Sequence, residues 1–157
     1  MRLLLESLIR DLGARGLTVA TAESCSGGLL AAALTECPGS SQIFVGGVVA
    51  YANAAKTRLI GVSASLIEEK GAVSREVALA MALGVQSALK SDFALSLTGV
   101  AGPAGGTAGK PVGTVWCGIA TPNLVDAVCW QLAGDRAQIR EQSTLRALKW
   151  LLESCQK

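Results

Sequence analysis

The segment Leu17-Thr18-Val19-Ala20-Thr21-Ala22-Glu23-Ser24-Cys25-Ser26-Gly27-Gly28, followed by the alanine- and leucine-rich run to Thr35, decides the fold class. Leu17 to Ala22 is short, apolar and rich in β-branched side chains. Glu23 to Gly28 is polar and small, and the rest has helix-forming composition. That order reads as strand, tight loop, helix, one repeat of an α/β fold.

Upstream, Leu4, Leu5, Leu8, Ile9 and Leu12 recur at helical spacing, and Gly13 or Gly16 offers a stop. Downstream, Pro38-Gly39-Ser40-Ser41 breaks the chain before a valine-rich strand from Ile43 to Ala52, with Tyr51 near its end. Ser65 and Glu68 have the spacing of a capping box for a short helix ending at Gly71. Ser74 is a plausible N-cap for a helix whose face carries Val77, Met81, Val85 and Ala88 and which closes near Lys90. Phe93 to Leu97 reads as a third strand. A loop with six glycines, Gly99 through Gly113, then leads to Thr114–Ala120 and Val125–Leu132, a hairpin turned at Thr121-Pro122-Asn123. Ile139, Leu145, Leu148, Leu151 and Leu152 mark a long final helix. The expected architecture is a single-domain, layered α/β fold, a mixed sheet of about five to six strands with packed helices.

Composition agrees with one domain. The 157 residues are 50% apolar but only 4% aromatic, so the core must be built from Ala, Val, Leu and Ile in close helix-on-sheet contact. A chain of this length buries roughly 70% of the surface its unfolded form exposes. The net charge of +2, with no Lys/Arg run, argues against nucleic acid. The longest charge-free stretch, Cys37 to Ala55, is interrupted by Pro38, Gly39, Gly46, Gly47 and Asn53, which excludes a membrane span. With no secretion signal in the leucine-rich opening, a cytoplasmic location is expected. Cys25, Cys37, Cys117, Cys129 and Cys155 form no C-x-x-C pair, so they read as reduced, buried thiols.

The sequence contains no histidine. That removes every His-based triad, His-ligated metal and imidazole shuttle. Acid-base work falls to Lys, Tyr, Asp, Glu or a thiol. In Tyr51-Ala52-Asn53-Ala54-Ala55-Lys56 the only tyrosine lies five residues before a lysine with small neighbours that could desolvate it. To act as a base near pH 7, a lysine must fall by about three pH units from about 10.4, at a cost of about 4 kcal/mol. Full burial shifts lysines by up to about 3 to 5 units, so the cost is within reach. A neutral Lys56 would take the proton of a serine hydroxyl, with the Tyr51 phenol relaying or orienting. Serines lie in both preceding loops, and Ser24, Ser26, Ser40 and Ser41 cannot be separated on physical grounds. No metal and no cofactor is required.

The loop Thr98-Gly99-Val100-Ala101-Gly102-Pro103 leaves a strand end with backbone N–H groups free to face an anion, or serves only as a connection. It is not a P-loop, because Gly109-Lys110 is followed by Pro111. Ser87-Ala88-Leu89-Lys90 matches the S-x-x-K string of penicillin-recognising enzymes, but no K-T-G follows. Arg136, after Gly134-Asp135 at the start of the last helix, could grip a phosphate as a fork or simply be solvated.

Together, Ala22-Glu23-Ser24-Cys25-Ser26-Gly27-Gly28, Pro38-Gly39-Ser40-Ser41, Tyr51 to Lys56, Thr98 to Pro103, Lys110-Pro111-Val112-Gly113-Thr114-Val115-Trp116 and Gly134-Asp135-Arg136 resemble the CinA C-terminal domain family, in the family's order over nearly the whole chain. The resemblance implies hydrolysis of nicotinamide mononucleotide to nicotinate mononucleotide and ammonia. It implies Ser41 as nucleophile, Lys56 as its base and Tyr51 as the assisting hydroxyl. Ser24, Ser26, Thr98, Gly99, Gly102 and Arg136 would line the nucleotide site, Arg136 nearest the phosphate. Longer relatives carry an N-terminal domain resembling molybdopterin-binding proteins, so this chain looks like the stand-alone form, and a homo-oligomer, first of all a dimer, is expected. Ser26 stands where threonine is expected and keeps the hydroxyl. Ala104 stands where an acid is common and offers no polar contact.

Two other readings differ in class. A nucleotide-binding module that has lost turnover would keep the glycine loop and Arg136 with Lys56 charged. A structural or regulatory subunit would use Trp116, Trp130 and Trp150 as interface anchors.

Overall fold

The computed structural model describes residues 1–155 of the chain. Its elements in order are α1 (Arg2–Gly13), β1 (Val19–Glu23), α2 (Leu29–Leu34), a single 3-10 turn at Ser40–Gln42, β2 (Phe44–Val49), α3 (Asn53–Ile60), α4 (Ala64–Lys70), α5 (Arg75–Leu89), β3 (Phe93–Gly99), β4 (Thr114–Ala120), β5 (Val125–Gln131) and α6 (Arg136–Cys155). The strand, loop and helix read from Leu17 to Thr35 are β1, its loop and α2. Among the described residues no helix is long and apolar enough to cross a membrane.

The five strands form one mixed sheet in the order β2-β1-β3-β4-β5. β1 pairs in parallel with β2 and β3, whereas β4 is antiparallel to β3 and β5. From β1 the chain crosses through α2 to β2, then returns through α3, α4 and α5 over β1 to β3. The two crossovers run in opposite directions and over opposite faces, so they share one hand. Loops from both faces therefore meet beyond the carboxyl ends of β1, β2 and β3, the usual place for a binding crevice in an α/β sheet.

The two faces bury different side chains. Val19, Phe93, Leu95, Leu97, Val115, Cys117 and Ile119 pack against α1, α2 and α6. The other face offers Ala20, Ala22, Ala94 and Ala120 to Val77, Met81, Ala82 and Val85 of α5. Small residues let α5 sit close: Ser96 Oγ donates to Ala78 O at 2.6 Å, and a Cβ on Gly118 would lie 2.5 Å from that same carbonyl. This thin layer accounts for a core with so few aromatics.

Local details depart from expectation in four places. The cap of α4 is Ser63, which accepts from Leu66 N–H, while Ser65 sits in the first turn and bonds Ser63 Oγ at 2.7 Å. Ser74 caps α5 as expected, but Ala88 is exposed because the buried face winds through Ala78 and Ala82 instead. Asn53–Ile60, to which the sequence pattern assigns no element, is helix α3. Four cysteines are buried thiols, but Cys129 is exposed on β5.

Candidate active site

α3 is a short helix whose outer side faces solvent. Lys56 and Ile60, four residues apart, share its inner face. Ile60 enters the small-residue core. Lys56 points to the carboxyl edge of the sheet, where only 1% of it is accessible. Its Nζ lies 3.0 Å from each of three oxygens: Ser24 Oγ, Ala50 O and Tyr51 O. Carbonyl oxygens only accept. Two of them therefore engage two N–H bonds, and the third direction faces a hydroxyl that can either accept or donate. A neutral amine fits this arrangement with its lone pair toward the Ser24 proton. Burial lowers the Lys56 pKa below the ordinary lysine value. Among the described residues no carboxylate forms an ion pair with it.

Ser24 is the first residue beyond β1. Its N–H donates to Leu97 O of β3 at 2.9 Å, and its carbonyl accepts from Gly27 N–H at 3.1 Å. Its neighbours Glu23, Cys25 and Ser26 are buried, while Ser24 itself keeps partial access to solvent. Burial pushes the adjacent Cys25 thiol up to about 11, so at neutral pH that thiol is protonated. Glu23, which sequence reading left without a role, turns its buried carboxylate onto the start of α2.

Ser41 is not beside Lys56. It is exposed in the 3-10 turn Ser40–Gln42, before the amino end of β2, whereas Lys56 Nζ sits beyond the carboxyl end of that strand. Six strand residues at about 3.3 Å each separate them by about 20 Å, too far for proton transfer. The expectation of Ser41 as Lys56's partner is therefore corrected to Ser24. The parallel pairing of β1 with β2 sets Glu23 beside Val49 and so brings the residues after both strands together.

Tyr51 meets the site through two groups. Its carbonyl holds Lys56, while its phenol oxygen accepts from Arg136 Nη2 at 3.1 Å. Arg136 Nη1 donates to Gly102 O at 3.0 Å, so one guanidinium joins the β2–α3 loop, the glycine loop and the first residue of α6. Thr98 is buried, and its hydroxyl donates to Ala72 O at 2.7 Å, which ties β3 to the approach of α5 rather than facing the crevice. Gly99 ends β3 against β4: a Cβ there would lie 2.7 Å from Thr114 O, which explains the glycine by packing. Gly102 has φ +78°, and a Cβ would lie 2.6 Å from Val112 Cγ1. Ser26 is fully buried. Its carbonyl accepts from Arg140 Nε and Nη2, and its Oγ has no partner among the described residues.

The molecule is thus an α/β domain with a buried lysine set on a serine at the carboxyl edge of a mixed sheet. The chain belongs to the CinA C-terminal domain family, whose sequence profile matches residues 2–155. It is 50% identical over 145 residues to the CinA-like protein of Geotalea uraniireducens, covering 92% of this chain and 34% of that protein. The chain spans about a third of the length of the curated relatives it matches. Among solved structures, it superposes on the competence/damage inducible protein CihA of Agrobacterium tumefaciens with TM-score 0.91 and 39% identity, covering 98% of this chain and 94% of that one. The competence damage-inducible protein A of Klebsiella pneumoniae gives TM-score 0.92 and 34% identity, covering 96% and 93%.

Proposed function

We propose that this protein is an amidohydrolase of pyridine nucleotides, releasing ammonia from nicotinamide mononucleotide to leave nicotinate mononucleotide. The observation that carries the reading is the Lys56 Nζ, buried and 3.0 Å from Ser24 Oγ with two carbonyls on its other sides. Membership of the CinA family supports the substrate.

In this mechanism Ser24 Oγ attacks the carboxamide carbon as its proton passes to Lys56 Nζ. The tetrahedral intermediate collapses with cleavage of the C–N bond, and the Lys56 ammonium returns the proton to the leaving nitrogen, so ammonia departs. Water then attacks the Ser24 ester, again giving its proton to Lys56. The C–O bond to serine breaks, Ser24 is reprotonated, and the carboxylic acid product ionises. Backbone N–H groups of the glycine loop supply the oxyanion site, and Arg136, already at the crevice mouth, takes the phosphate as a bidentate partner.

A binding module without turnover would have to keep Lys56 charged in a pocket that disfavours charge and where, among the described residues, no carboxylate pairs with it. The test is an ammonia assay over several pyridine amides in the presence of a chelator. Wild type releases ammonia from the nucleotide, and Lys56→Ala does not. Calorimetric binding of the nucleotide with no ammonia released by wild type sinks the catalytic reading.

A further inference from the structure

In an open α/β sheet the helix that follows the first strand presents its amino end as a ready anion site. Here that end is already filled from within. Glu23, 1% exposed, accepts from Gly28 N–H and Leu30 N–H through Oε2, both at 3.0 Å, and from Ala31 N–H through Oε1 at 2.8 Å. A single carboxylate thus satisfies three donors of α2 and neutralises the positive end of its dipole.

The geometry has two consequences. The N–H groups at the start of α2 are occupied by Glu23 rather than free for an anion, and Arg136 and Arg140 are the cations beside the loops of this edge. More important, both ends of the Ser24–Gly27 loop are fixed. The backbone of Glu23 is held in β1, where its carbonyl accepts from Ala50 N–H at 2.8 Å, while its side chain grips the far end of the loop at Gly28. Ser24 stands between these anchors, with Gly27 at φ +61° and Gly28 at φ +95° making the turn. Ala50, which donates to Glu23 O, is also the residue whose carbonyl holds Lys56.

We infer that Glu23 is a positioning residue for catalysis, the group that holds Ser24 Oγ at hydrogen-bond distance from Lys56. This rests on the amidohydrolase reading. It differs from a purely stabilising role because its loss moves the nucleophile without touching substrate. A displacement of about 1 Å in such a pair costs about 100-fold in rate.

The test compares wild type with Glu23→Gln, which keeps the shape but turns one acceptor into a donor facing an N–H, and with Glu23→Asp, which keeps the charge but shortens the reach. Each is checked by circular dichroism, then read for ammonia release from nicotinamide mononucleotide and for acylation by p-nitrophenyl acetate, which needs only the Ser24–Lys56 pair. Folded Glu23→Gln should lose about 100-fold in kcat with KM within about threefold, and lose acylation in step. Glu23→Asp should lose less in both. If Glu23→Gln does not fold, Glu23→Asp decides alone. Folded Glu23→Gln that turns over and acylates within about threefold of wild type overturns the inference, as does Glu23→Asp doing so where Glu23→Gln does not fold. Wild type that acylates but releases no ammonia removes the substrate while leaving Glu23 to be judged on acylation. Wild type inert in both assays overturns both.

Discussion

Lys56 is held where its charge is a liability. Burial lowers its proton affinity in the folded chain, so the unfolded chain binds more protons between that lowered value and about 10.4. Stability must therefore rise with pH through this window, and the destabilising contribution is fully present below it. Lys56→Met removes the dependence. Relative to wild type its Tm should be highest near about pH 6 and decline toward about pH 10, as thermal melts across the range would record. A difference that does not change with pH would mean Lys56 keeps an ordinary affinity for its proton. The burial of this residue was legible beforehand, because its sequence neighbours are small and apolar. Its partner was not. Ser24 is 32 positions away, and four loop serines were equivalent until strand pairing put one of them on the amine.

At the scale of elements, the position of Lys56 depends on how closely α3 approaches α5. A Cβ on Gly84 would lie 1.9 Å from Ile60 O, the carbonyl at the end of α3. Gly84→Ala should push α3 outward at a cost of about 1 to 3 kcal/mol, read as a lower Tm, and should depress activity further than the lost stability explains. Wild-type stability in this variant would mean the helices have room to part. The second coupling is the Arg136 tie between Tyr51 and Gly102. Tyr51→Phe deletes one arm while leaving the backbone carbonyl on Lys56, so the loss should fall on KM, by about tenfold, and not on kcat. A collapse of kcat instead would return the phenol to the chemistry. The strands and long helices were legible from period and composition. α3 was not, because Tyr51 to Lys56 follows a valine-rich strand without a capping side chain: Ala52 is its N-cap. The cap of α4 was misplaced by two residues because Ser63 and Ser65 carry the same hydroxyl.

Across the whole molecule, the division between a large-residue face and an alanine, glycine and serine face follows from the composition, and it brings α3 and α5 near enough for a lysine to reach the sheet edge. The fold class needed no long-range information, since alternating strands and helices with a terminal hairpin admit few sheets. The site did need it. Its members come from the ends of β1 and β2, from α3, from the glycine loop and from α6, and only the order β2-β1-β3 makes them neighbours. The most direct measurement is to acid-quench wild-type protein during turnover of nicotinamide mononucleotide, cleave after Glu23 and Glu36, and locate the acyl group by mass spectrometry. That cleavage separates the peptide beginning at Ser24 from the one containing Ser41. The acyl group should sit on Ser24, with Ser41→Ala still active. An acyl group on Ser41, or full activity in Ser24→Ala, would contradict the pairing of Lys56 with Ser24.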